Sequence, residues 1–125
     1  MKIATILVLG VSLIGGCAVQ PPLYKWNNYS SSLYNLKKNP GTEAAAQHKL
    51  VLQKIINDSI SSGTRVPPGV YAELGFLQMK DGQSKEAVAN MNLESSVYPE
   101  SIAFINRITN QSVKTSDVKP AGSTN

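Results

Sequence analysis

Residues 70–99 read VYAELGFLQMKDGQSKEAVANMNLESSVYP, two amphipathic runs with a turn between them. Val70, Tyr71, Leu74, Leu77 and Gln78 recur at the spacing of one helical face, which predicts a helix that packs along that stripe. Lys80-Asp81-Gly82-Gln83 predicts a turn with Gly82 as its pivot. Ser84 is then placed to cap a second helix whose inner face is Ala87, Val88, Met91, Ser95 and Tyr98, and Pro99 ends it. The stretch is therefore expected to fold as a helical hairpin.

Outward from the hairpin the same period continues. Val66-Pro67-Pro68-Gly69 forces an extended break before it. Upstream, Thr42 is placed to cap a long helix, with Glu43 favourably set against the positive end of its dipole. Ala45, Leu52, Ile55, Ile56 and Ile60 are expected to line its inner face, and Gly63 to end it in a left-handed conformation. The apolar run LVLQKII, 50–56, lies too deep among helix formers to read as a strand. Trp26, Tyr29, Leu33 and Leu36 predict an earlier helix, stopped by Asn39-Pro40-Gly41. A last helix starts near Ser101 and is expected to bury Ile102, Ile105 and Ile108. The fold class is all-α, with about five helices. From Ser112 onward bulky apolar residues nearly vanish, which predicts a disordered tail over 112–125.

Tyr71, Leu74 and Gly75, then Gly82, Ala87, Met91 and Pro99, resemble the tetratricopeptide repeat in its usual spacing. Each residue has a physical role in such a unit. Gly75 and Ala87 let the helices approach, Gly82 turns the chain, Tyr71, Leu74 and Met91 fill the interface, and Pro99 closes it. Gln78 and Glu94 depart from the pattern, standing where an aromatic and a small residue are usual. Trp26, Tyr29, Ser30 and Leu33 repeat the spacing of Tyr71, Leu74, Gly75 and Gln78, as a degenerate earlier copy would. The last helix would then shield the open face of the second hairpin. A bundle of five unrelated helices is the alternative, in the same class.

The N-terminus reads differently. Ile3 to Ile14 is a nearly unbroken apolar run of twelve residues behind Lys2. That is too short to span a bilayer as a helix, which takes about 20 residues. A basic start, short apolar centre and small residues describe an export signal. Ile14-Gly15-Gly16-Cys17 resembles the lipobox of bacterial lipoproteins, and Cys17 is the chain's single cysteine. The resemblance implies cleavage between Gly16 and Cys17, a diacylglyceryl group on the thiol and an N-acyl chain, such as palmitate, on the new amine. Two or more chains make such an anchor stable where one is marginal. Ala18, not aspartate, follows; by the same resemblance this favours the periplasmic leaflet of a Gram-negative outer membrane. The expected organisation is a signal peptide over 1–16, a lipidated tether over 17–25 containing Gln20-Pro21-Pro22, a helical domain over 26–111 and the tail.

Without Lys2 the remainder carries eleven basic and eight acidic side chains, a net of +3. That is too weak to argue for nucleic acid. A lipidated Cys17 also leaves no cysteine for a disulfide. LYKWNNYSSSLYNLKKNPG and RVPPGVYAELGFLQMKDGQSKEAVANMNLESSVYPES resemble a family of small Gram-negative lipoproteins of uncharacterised function with tetratricopeptide-like helices. Members of that family look like neighbours of a lipoprotein related to the curli secretion channel and of another small lipoprotein. The resemblance implies work beside an envelope secretion or surface-assembly system.

The residues offer little chemistry. His48, the sole histidine, falls on the apolar side of its helix and reads as structural. No Cys/His or paired-carboxylate cluster has metal-ligand spacing, and no phosphate loop appears. No enzyme, metal, cofactor or small-molecule substrate is expected beyond the acyl groups. Recognition is the expectation that remains, with Glu73, Phe76 and Lys80 on the exposed side of the hairpin's first helix as candidate partner contacts; packing of Phe76 against the first helix or tether is the alternative. The function expected is a lipid-anchored periplasmic adaptor for other envelope proteins. The alternatives are a pilotin-like assembly factor for an outer-membrane channel and a peptidoglycan-active accessory protein.

Overall fold

The computed structural model describes residues 20–116, and their side chains as far as Gln111. The expected signal peptide, the expected cleavage between Gly16 and Cys17 and the expected lipid on Cys17 fall outside the described residues, as do residues 117–125 of the expected tail. Within them the protein is all-α. Five α-helices follow in order: α1 (Tyr29–Lys38), α2 (Thr42–Ser61), α3 (Val70–Lys80), α4 (Ser84–Val97) and α5 (Ile102–Ser116), with one turn of 3-10 helix, Pro99–Ser101, before the last. Helix α5 thus continues past residue 112, where the tail was expected to begin.

Two glycines turn the chain by the same device. Gly63, at φ +66°, follows α2; its N–H donates to Ile60 O and the Thr64 N–H to Ser59 O. Gly82, at φ +76°, follows α3; its N–H donates to Met79 O and the Gln83 N–H to Gln78 O. Both are Schellman closures, which satisfy the last carbonyls and need a left-handed residue. The two expected side-chain caps do not form. Thr42 and Ser84 are the first residues inside their helices, behind Gly41 and Gln83, and neither start has a side-chain cap bond.

Helices α3 and α4 pack antiparallel, since Gly75 meets Ala87 and Met91 while Gln78 meets Asn90. A Cβ on Gly75 would lie 2.9 Å from the Ala87 carbonyl oxygen and 3.3 Å from Met91. The main core joins α2 to α3 through Leu52, Ile55, Ile56, Val66, Val70, Tyr71, Leu74 and Leu77. A second cluster, Ala72, Met91 and Ile105, with Met79 and Ile108 packed against it, seats α5 on the hairpin.

Three expected core residues stay outside. Ile60 is 64% exposed, and Ser59 is buried in its place. At about 100° per residue, Ile60 has rotated some 80° from Leu52, whereas Ser59 lies within about 20° of it. Val88 is 47% exposed, and Glu94 is buried instead, for the same reason relative to Ala87. Ile102 is also exposed, because α5 meets the hairpin through Ile105. Trp26 precedes α1 and does not lie on it; it packs edge-on between Tyr24 and Tyr29. That segment is pinned again where Asn27 donates to Asp58 at 2.8 Å. The Lys54 ammonium and this Asn27 bond hold the Asp58 carboxyl below its ordinary range.

Candidate functional site

The first helices of the hairpins, together with α5, frame a groove of about 590 Å³. Tyr29 comes from α1; Ala72, Glu73 and Phe76 from α3, behind Pro68 and Gly69; Phe104 and Ile108 from α5. The lining is mostly apolar, and two phenyl rings stand in the open, Phe76 at 40% and Phe104 at 58% exposed. The Lys80 ammonium sits 4.7 Å from the centre of the Phe76 ring, a cation–π contact that holds a charge at its edge. Of the three candidate contacts in the sequence, Glu73 and Phe76 are therefore in the wall and Lys80 stands beside it.

Beneath the wall lies a polar chain that no spacing rule shows. The Tyr29 hydroxyl donates to Glu73 Oε2 at 2.7 Å. His48 Nε2 lies 3.0 Å from Glu73 Oε1, and its Nδ1 lies 2.7 Å from Ser32 Oγ. A carboxylate can only accept, so Nε2–H donates to Glu73, while the single Ser32 hydroxyl proton has both Nδ1 and Tyr29 O within reach. Burial and the Glu73 carboxylate push the Tyr29 phenol up to about 12. The chain joins α1, α2 and α3 through groups 25 and 44 residues apart in sequence.

Ser32, His48 and Glu73 follow the order of a hydrolytic triad, so their geometry has to be judged as one. His48 has no exposed surface. Ser32 lies inside α1 with its N–H already given to Asn28 O, so the backbone beside the hydroxyl offers no oxyanion donor. Its Oγ also lies within bonding distance of Tyr29 O, at 2.9 Å. Neither Ser32 nor His48 lines the groove. The arrangement works as a tie between three helices, and His48 is a satisfied core residue.

The two departures from the repeat pattern are polar contacts between α3 and α4. Gln78 accepts from Asn90 at 2.7 Å. Glu94, 2% exposed, accepts the Gly69 N–H at 2.7 Å and the Ala72 N–H at 3.4 Å. A carboxylate at these donors satisfies groups that the helix itself leaves open and meets the positive end of its dipole. Nearby, the Tyr98 hydroxyl donates to Val66 O at 2.6 Å, while Arg65 stacks on its ring. Burial raises the Tyr98 phenol well above its ordinary value.

Sequence reasoning missed Tyr29, Phe104 and Ile108 as groove residues. Tyr29 and Ile108 were assigned to helix cores, and Phe104 carried no signal until α5 was docked. Among the described residues no group of three or more His, Cys, Asp or Glu could hold a metal. No described helix is long and apolar enough to cross a membrane. A family model described as a domain of unknown function, DUF4810, matches residues 23–108, which takes in the whole groove. No curated protein and no solved structure matches the chain.

Proposed function

This chain belongs to the DUF4810 family, and on that premise we propose that it is a non-enzymatic, lipid-anchored adaptor that binds other proteins of a Gram-negative envelope. The observation that carries the reading is the concave groove with Phe76 and Phe104 both open in it. Aromatic side chains held in a pocket rim are the usual anchors of protein recognition. The leader and Cys17 supply the setting: acyl chains at the sulfur confine the domain to the periplasmic face of the outer membrane. Confinement raises the effective concentration of a partner held in the same membrane, as tethering does generally. The resemblance to lipoproteins found beside a curli-channel-like secretion lipoprotein supports a role for the adaptor at a secretion or assembly complex.

The test is affinity purification of the processed protein from gently solubilised envelopes, with mass spectrometry of what comes with it. Wild type should recover a discrete set of envelope proteins, and Phe76→Ala with Phe104→Ala should lose it. Recovery of the same set by the double variant overturns the groove as the recognition surface. An intact mass lacking acyl groups at residue 17 overturns the anchor.

A further inference from the structure

We infer that the outer face of α1 lies against the anionic lipid surface beside the anchor, so that the domain is docked and oriented as well as tethered. This deepens the adaptor reading and rests on its lipid anchor. Helical rotation defines the face. At about 100° per residue, Lys37, Ser30, Tyr34, Lys38 and Ser31 fall within about 120° on one side of α1, and all five are exposed. Tyr29, Ser32, Leu33 and Leu36 take the other side, half-buried, where Ser32 meets His48 of α2. Helix α1 is the end layer of the fold, seated on α2, and none of its residues is fully buried. Tyr34 stands at the centre of the outer face, with the Lys38 ammonium 5.9 Å from its ring centre. The stretch that links α1 to the anchor adds Leu23 and Trp26, both exposed.

Charge selects the occupant. Residues 17–42 contain Lys25, Lys37 and Lys38 and no acid. Over residues 20–60 five lysines stand against Glu43 and Asp58, a net of +3, whereas residues 61–111 hold four basic and five acidic side chains, a net of −1. Both of those acids count at full charge, although Glu43 accepts from Gln47, and Asp58 from Lys54 and Asn27. The positive part of the domain is therefore the part next to the anchor. Basic residues held there are drawn to anionic head groups, and tyrosine and tryptophan favour the head-group level. Six residues lead from Cys17 to Leu23, at most about 20 Å of extended chain. Docking on this face leaves the groove open, since Tyr29 in the groove wall lies about 140° around α1 from Tyr34.

The experiment uses the mature protein in vesicles, its acyl chains established by intact mass. With Cys17 consumed by lipid, Ser30→Cys or Val88→Cys supplies one free thiol for a spin label. In vesicles containing phosphatidylglycerol, the label at position 30 should be shielded from an aqueous nickel relaxant, and the label at position 88, on α4, should not. Lys37→Gln with Lys38→Gln should weaken docking about tenfold or more, and high salt should weaken it without any substitution. Absent shielding at position 30 overturns the inference. So does equal shielding over phosphatidylcholine, at position 88, or with both lysines replaced. Shielding at position 30 in lipid-free detergent that grows with protein concentration would mark a second copy on this face and overturns it too. Shielding lost while envelope proteins are still captured overturns this inference alone; docking with no captured partner overturns the adaptor reading alone.

Discussion

The Glu94 carboxylate, on α4, accepts the Gly69 N–H at 2.7 Å and so closes the start of α3 from across the hairpin. Since the group is buried, its removal strands donors that water cannot reach. Glu94→Ala is expected to cost about 2–3 kcal/mol, the usual range for a charged hydrogen bond lost in the interior. Glu94→Gln, which keeps one acceptor, should cost roughly half as much. Urea denaturation followed by circular dichroism reads both; equal losses would remove the charge from the explanation.

Gly75→Ala sets two effects against each other. Alanine in a helix interior is worth up to about 1 kcal/mol over glycine. Overpacking costs about 1–3 kcal/mol, and here the nearest obstacle is a backbone oxygen at 2.9 Å that cannot rotate away. The net effect should be a loss, seen as a lower urea midpoint. A gain would mean that α4 shifts more freely than this contact implies.

Ser59 offers the opposite sign. Its hydroxyl is fully buried and has no hydrogen-bond partner among the described residues. Ser59→Ala removes a group whose desolvation is uncompensated, so it should stabilise the fold by about 1 kcal/mol. A lower melting temperature in the variant would show that the hydroxyl has a partner.

The Ser32–His48–Glu73 chain should behave as structure. A fluorophosphonate probe is expected to leave Ser32 unlabelled, while His48→Ala should cost about 3 kcal/mol by opening a cavity and unpairing Glu73. Labelling of Ser32 that disappears in His48→Ala would make the chain a reactive triad.

Tyr29 sets a pH dependence at the alkaline end. Its phenol holds its proton up to about 12 in the fold and ordinarily releases it near 10.0. Above 10 the unfolded chain loses that proton first, so stability falls as pH rises from about 10 to 12 and is whole below that window. Tyr29→Phe should flatten this part of the decline in the urea midpoint and remove one late step from the tyrosinate absorbance titration. An unchanged slope would show that Tyr29 ionises no later in the fold than in the unfolded chain.

The sequence alone determined the all-α class, the two glycine turns and the close pairing of α3 with α4. Those features are local: a 3.6-residue period, a residue free to take positive φ, and a missing Cβ at a crossing leave their mark within a few positions. Tertiary structure decided which side of each stripe is covered. Ser59 displaced Ile60 and Glu94 displaced Val88, because the packing stripe follows helical rotation over many turns; Glu94 lies on it with bonds from the start of α3, and Ser59 lies on it with none among the described residues. It also decided the groove. Tyr29, Phe76 and Phe104 sit on three helices far apart in the chain, and no single-helix pattern records which faces will meet across open space.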